Sequence, residues 1–197
     1  MSEVIADQAV TNEDWYAEDI EDRTYLRCSF EHVDLTEATS AGAVFEECTF
    51  GNVKFNASRH TDSAFLRCTF KRCNLFEAEF VGCKLVGSSF TESAVRPMRI
   101  TGGDWSFVGL AGADLRGVTI TGTRMREVDL TAANCTDAVI VDTDLSGGQL
   151  HSAKFGGCDL RGSDLTALDP TLVELRGAVI NSDQAIIIAQ ALGLEIR

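Results

Sequence analysis

The stretch Cys68–Phe90, CTFKRCNLFEAEFVGCKLVGSSF, decides the fold, because Phe70, Leu75, Phe80, Leu85 and Phe90 fall on every fifth residue. Two residues before each stands something small: Cys68, Cys73, Ala78, Cys83 and Ser88. Neither the 3.6-residue period of a helix nor the two-residue period of a strand accounts for a period of five. The stretch is an internal repeat, and the rest of the chain is read in its register.

Call the large apolar position i; it coincides with residue numbers divisible by five. From Tyr25 to Ile180 there are 32 such positions, and only Ser40, His60 and Pro170 are not apolar, in a chain that is 45% hydrophobic. At i−2 over the same span only Arg23, Met98 and Leu168 are not small. Positions i and i−2 therefore point inward, whereas i−1, i+1 and i+2 are mostly polar and point out. A five-residue unit that turns the chain by a right angle closes a square in four units. Successive coils then stack at the ordinary inter-strand spacing of about 4.8 Å. Of the 17 glycines, 11 lie at i+2, where a corner with positive φ favours them. The expected fold is all-β: a quadrilateral parallel β-helix of about eight coils, roughly 40 Å long, in which each coil contacts only its neighbours.

These residues resemble the pentapeptide-repeat proteins, whose unit is written A-(D/N)-L-x-x. Ala113-Asp114-Leu115-Arg116-Gly117 and Ser163-Asp164-Leu165 match it closely. The resemblance implies a right-handed β-helix and covers about residues 20–180.

The flanks read differently. Residues 1–22 hold eight acids and no Lys or Arg, so 1–19 is expected to be an acidic N-terminal arm preceding the β-helix at 20–180. No basic, apolar leader and no run long enough to span a membrane is present, which points to a cytoplasmic chain without membrane contact. Beyond Leu165 the pattern fades. Asp169-Pro170 breaks the coil, and Ser182 can cap a helix that ends near Gly193, giving a capping and dimerisation segment at 181–197. Ile186, Ile187, Ile188, Ala189, Leu192, Leu194 and Ile196 leave that helix without a purely polar face. One side can close the solenoid, and the other is expected to join a second copy about a two-fold axis. Pro97, after Arg96, removes a ladder donor, and Met98 overfills a small-residue site, so a local kink is expected there.

The cysteines do not form a redox or metal pattern. Six of the seven (Cys28, Cys48, Cys68, Cys73, Cys83, Cys158) occupy i−2 and Cys135 occupies i, all inner positions suited to a small hydrophobe. No metal and no cofactor is implied. His60 takes an inner position directly above Ser40, where the two are expected to satisfy each other. Outward groups on a coil have no concave pocket around them, so the expectation is a binding protein and not an enzyme.

Net charge is −13, from 30 acids and 17 bases. That argues against nucleic acid as a partner and for a basic surface. Residues 1–22 carry eight of these acids, so any strongly acidic surface elsewhere must be local. The best candidate is the C-terminal half, where Glu127 to Glu174 contains nine acids and two bases. Asp104, Asp144 and Asp164 share one face, Asp129 and Asp169 the next, with Asp137, Asp142 and Asp159 nearby.

A further likeness, to the fluoroquinolone-resistance members of the family, is carried by Arg96-Pro97, Asp114-Leu115-Arg116-Gly117, Arg124-Met125-Arg126-Glu127, Asp169-Pro170 and Asp183-Gln184-Ala185 leading to Gly193-Leu194. It implies a rod-shaped homodimer that mimics DNA, occupies the basic DNA-binding surface of DNA gyrase and protects it from fluoroquinolones or other gyrase poisons. The alternative is an interaction scaffold or self-immunity protein with another target. The unbroken register leaves no room for the projecting loops that some resistance members carry.

Overall fold

The computed structural model describes residues 3–196. Residues 1, 2 and 197, which fall in the expected arm and helix segments, lie outside the described residues. The period of five becomes a square coil with four faces, numbered here in chain order. Face 1 carries the parallel strands Val4–Ala6, Thr24–Leu26, Val44–Glu46 and Ala64–Leu66. Face 2 carries Ala9–Thr11, Ser29–Glu31, Thr49–Gly51, Thr69–Lys71 and Ser89–Thr91. Face 3 is a ladder of single bridges that begins Asp14↔Asp34↔Lys54↔Asn74↔Ala94. Face 4 is a seven-stranded sheet from Asp19–Glu21 to Val139–Val141, continued by the bridges Val139↔Asp159 and Asp159↔Val179. Every partner lies 20 residues away, as in Ile20↔Ser40, Phe80↔Ile100 and Ile120↔Ile140.

The interior follows from positions i and i−2. Tyr25, Phe45 and Phe65 stack at ring-centroid separations of 4.9 and 4.8 Å, and Phe50, Phe70 and Phe90 at 4.9 and 4.5 Å. Each stacked pair adds about 0.5–1.5 kcal/mol to the burial of the rings themselves. Trp105, fully buried against Phe80 and Phe90, ends the aromatic half, and leucines such as Leu110, Leu130 and Leu145 fill most of the rest. All seven cysteines are buried free thiols. Cys68 Sγ donates to Phe45 O at 3.3 Å and Cys73 Sγ to Phe50 O at 3.3 Å, so thiols serve as small core groups with a weak donor. Burial raises the Cys73 and Cys83 thiols to about 11 and keeps them unreactive.

His60 and Ser40 make the inner polar spot. His60 Nδ1 lies 2.7 Å from Ser40 Oγ and Nε2 lies 3.1 Å from Ser58 Oγ, while Ser40 Oγ also meets Ser63 Oγ at 2.9 Å. Burial drives the imidazole down to about 3, so it is neutral in the folded chain.

The corners sit at i+2. Glycines there have positive φ, and so do Asp, Glu, Arg, Asn and Ala residues, with φ of 54° at Glu127, 56° at Asp137 and 51° at Asp142. Each non-glycine corner costs about 1–2 kcal/mol, which the stacked ladder offsets. Gly103 answers a different need: a Cβ there would collide with the backbone of Cys83 in the preceding coil.

Two expectations change. The acidic N-terminal segment is not a separate arm. Val4–Ala6 pairs with Thr24–Leu26, Ala9–Thr11 pairs with Ser29–Glu31, and Arg27 grips Asp7 at 2.8 and 2.7 Å. The physical reason is that Ile5, Val10, Trp15 and Ile20 keep the period of five. Their small-residue signal is lost because Glu3, Gln8 and Glu13 stand at i−2. The C-terminal helix, Ser182–Ala191, is capped by Asn181 and not Ser182. Asn181 accepts from Gln184 N, while the Gln184 side chain accepts from Asn181 N at 2.8 Å, a reciprocal capping box.

Pro97 does not interrupt the register. Glu79, Arg99 and Thr119 remain in line on face 4, and Met98 is buried. The disturbance is confined to face 3, where the bridge ladder stops at Ala94 and resumes as Asp114↔Asn134. Among the described residues no helix is long and apolar enough to cross a membrane.

Candidate acidic interface

A carboxylate at i−1 emerges from a ladder position and bends back over its own corner. Asp144 Oδ1 accepts Ser146 N at 3.0 Å and Ser146 Oγ at 2.6 Å, and Asp104 does the same with Ser106. Asp164 repeats the arrangement with Thr166 at 2.8 and 2.6 Å, and Asp169 with Thr171 at 2.9 and 2.6 Å. Asp129 accepts Thr131 N at 2.9 Å. These are Asx turns, in which the side chain takes a backbone donor that the corner leaves unpaired. They explain why the repeat wants Asp or Asn there, and they fix one oxygen of each carboxylate.

Partial burial pushes the Asp144 carboxyl up, but its Ser146 bonds and the nearby Arg126 and Arg124 outweigh this and hold it below the ordinary value. The Thr171 hydroxyl, followed by the Thr171 backbone, lowers Asp169. Both carboxylates are therefore charged at neutral pH.

Face 1 brings Asp104, Arg124, Asp144 and Asp164 into one ladder, so the expected acids do share a face, but a cation stands among them. Arg124 lies 3.4 Å from Asp104, whereas Asp144 and Asp164 make no ion pair among the described residues. On face 2 the ladder passes from Asp129 to Gln149 and ends there, leaving Asp169 off the ladder. Asp142 occupies the corner between faces 4 and 1, with its carboxylate in the room that a Cβ on Gly162 would need. Asp137 stands over Gly157 in the same way, at the corner between faces 3 and 4. Asp159 belongs to face 4 and is held by Arg161 at 2.9 and 2.6 Å, chiefly through that bond lowered from its ordinary value.

The acidic group thus consists of Asp142, Asp144 and Asp164, with Asp129 and Asp169 around the next corner on either side of Gln149, while Asp104, Asp137 and Asp159 stand apart from it or are neutralised. Sequence reasoning left Glu127 out of the set. It lies at the corner between faces 1 and 2, exposed, against Gly147. Its position at i+2 was the available signal.

At the end of the stack, Gln184 is buried and its Nε2 donates to Leu160 O at 2.6 Å and Ser163 O at 2.8 Å, docking the helix onto the last complete coil. Ile188 packs against the core; Ile187 and Ala189 are half-buried. Ile186, Leu192, Leu194 and Ile196 are exposed, as are Leu172 and Val179.

A square coil of five-residue units with Asx-turn carboxylates at i−1 defines the class. A family model for the pentapeptide repeat region matches residues 43–130, and one for pentapeptide repeats, in eight copies, matches residues 131–166. The chain belongs to the pentapeptide-repeat proteins, and its fold is their right-handed quadrilateral β-helix with one short C-terminal helix. It is 37% identical over 93 residues to the pentapeptide repeat protein MfpA of Mycobacterium tuberculosis, a match over 47% of this chain and 51% of that protein. The match therefore spans about half the length of that curated relative. A trypsin-treated variant of QnrB1, a plasmid-mediated fluoroquinolone resistance protein, superposes over 100% of this chain and 99% of its own with a TM-score of 0.74 at 23% identity. Full-length QnrB1 gives a TM-score of 0.60 at 19% identity, covering 97% of this chain.

Proposed function

We propose that this protein is a DNA-mimicking inhibitor of DNA gyrase that protects the enzyme from fluoroquinolones or other gyrase poisons. The observation that carries the reading is the group of carboxylates without ion pairs among the described residues at Asp142, Asp144, Asp164, Asp129 and Asp169, of which the last four are each anchored through one oxygen by their corner. Stacked coils repeat charge at about 4.8 Å, whereas B-DNA carries one charge per roughly 1.7 Å of axis, so the likeness is to one edge of a duplex. The choice of gyrase as target is supported by the likeness to MfpA and by the resemblance to fluoroquinolone-resistance members read from the sequence. The partner would be gyrase's basic DNA-binding surface, met in the cytoplasm, and the mechanism would be binding without catalysis.

The exposed apolar end of the C-terminal helix supports a homodimer in which Ile186, Leu192, Leu194 and Ile196 meet their copies about a two-fold axis. Ile187, Ile188 and Ala189 would then back the interface from the capped side. Supercoiling of relaxed plasmid by gyrase, measured against protein concentration at low and moderate salt, tests the reading. Inhibition that weakens as salt rises is expected, as for contacts that replace phosphates. Neither inhibition nor drug protection at large excess would overturn it. A scaffold or self-immunity role with another target is favoured by one observation, that Arg124 and Arg161 neutralise Asp104 and Asp159. Binding insensitive to salt would select that alternative.

A further inference from the structure

We infer that face 3, on the side of the coil opposite the acidic face 1, carries a second site, which takes a small aromatic carboxylate. The column of outward i+1 residues on this face reads Phe76, Arg96, Arg116 in successive coils. Phe76 is 45% exposed. Beside this column, at i−1, Asp114 receives both arginines: Arg116 at 2.8 and 2.7 Å, and the Nε of Arg96 at 2.7 Å. The Arg116 guanidinium, first of all, holds the Asp114 carboxyl down at about 2. Two guanidiniums on one carboxylate leave these three groups with a net charge of +1, and among the described residues the terminal nitrogens of Arg96 make no hydrogen bond.

The coil opens at this place. Leu75 N–H donates to Ala94 O at 2.7 Å one coil below, and Leu115 N–H to Asn134 O at 2.8 Å one coil above. The corresponding bond from Val95 N–H to Asp114 O is missing, as is the one from Asp114 N–H to Ser93 O. Ala94 offers only a methyl group to the gap. The result is a mainly apolar recess of about 440 Å³ lined by Phe76, Ala94, Val95, Arg96, Pro97 and Asp114. That volume lies within the range of roughly 300–1,000 Å³ usual for small-molecule pockets.

Charge complementarity selects the occupant. Phe76 and Pro97 give the recess an apolar wall for an aromatic ring, and a carboxylate on that ring would meet the outer edge of Arg96, a planar fork suited to two parallel hydrogen bonds. A neutral aromatic leaves that fork unused, and a small anion leaves the apolar wall wet.

The test is an amide NMR titration of the full chain with N-acetyl-L-phenylalanine as probe. Saturable shifts centred on Phe76, Val95, Arg96, Asp114 and Arg116 are expected. Acetate and N-acetyl-L-phenylalaninamide, each lacking half of the recognition, should bind about tenfold more weakly or worse. Arg96→Gln should weaken the probe to a similar extent, whereas Arg161→Gln, at an exposed arginine on face 4, should not. Acetate equal to the probe would reduce the effect to diffuse pairing with surface arginines. Equal binding of the amide would reduce it to an apolar contact. Either result, or the absence of saturation, overturns the proposal. Phe76→Ala gives a second check on the ring contact, because its exposed side chain leaves the ladder untouched.

Discussion

Gln184 reaches from the first turn of the C-terminal helix to the carbonyl of Leu160, 2.6 Å away, and to that of Ser163 at 2.8 Å. Leu160 O also accepts Ser163 N–H at 3.1 Å, so the acceptor that relies on Gln184 is the Ser163 carbonyl, which takes no backbone donor among the described residues. Gln184→Ala should lower stability by about 1–3 kcal/mol, read as a shifted urea midpoint at unchanged slope. Gln184→Glu should cost at least as much, since it sets a carboxylate against those carbonyls.

The outer half of the same helix makes the dimer testable. Ile186→Asp with Leu194→Asp alters two side chains exposed in the single chain, so folding should change by no more than about 0.5 kcal/mol at each. Light scattering should report the mass of one chain for the variant and of two for the parent. A variant that keeps the parent's mass would place the interface elsewhere.

The acidic strip can be tested without disturbing the corners that hold it. Asparagine keeps the oxygen that accepts Ser146 or Thr166 N–H and loses only the charge. Asp144→Asn with Asp164→Asn should therefore unfold like the parent yet inhibit supercoiling several-fold less. The dependence of log affinity on log salt should become shallower by about one to two. Lysine at both positions should weaken inhibition further. Full inhibition by the lysine pair would exclude face 1.

His60 gives the stability a pH dependence whose sign follows from its burial. Its ordinary value is 6.5 and its folded value about 3, so the unfolded chain binds a proton that the folded chain refuses between those limits. This contribution is complete above pH 6.5 and is lost as pH falls toward 3, at up to about 1.4 kcal/mol per pH unit. His60→Phe should flatten that slope in urea titrations at successive pH values. It leaves Ser58 Oγ on Phe55 O at 2.8 Å, Ser63 Oγ on Thr61 O at 3.0 Å, and Ser40 Oγ on Ser63 Oγ at 2.9 Å.

Gly102 and Gly103 look alike in sequence and differ in space. A Cβ on Gly103 would collide with the Cys83 backbone, while one on Gly102, at φ +64°, meets nothing within 4 Å. Gly103→Ala should cost about 3 kcal/mol or more, and Gly102→Ala about 1 kcal/mol for its left-handed backbone. Thermal or chemical unfolding of the two variants separates them.

The period of five was enough, by itself, to determine the square coil, its inner positions, its corners and the buried thiols. A repeat of that length puts each side chain inside or outside with no other freedom, and pairing at 20 residues then follows. Asp144 and Asp164 could be assigned to one face on the same arithmetic. The first coil was obscured because Glu3, Gln8 and Glu13 replace the small residues, although Ile5 and Val10 keep the period. Only the tertiary structure decided which carboxylates carry free charge, because Arg124 and Arg161 pair with some and leave others, and the reach of a guanidinium is not written in the repeat. It also decided that Asp and Asn at i−1 build the corners, and that the ladder opens between Ala94 and Asp114. Those features depend on how neighbouring coils meet, which a one-dimensional period does not contain.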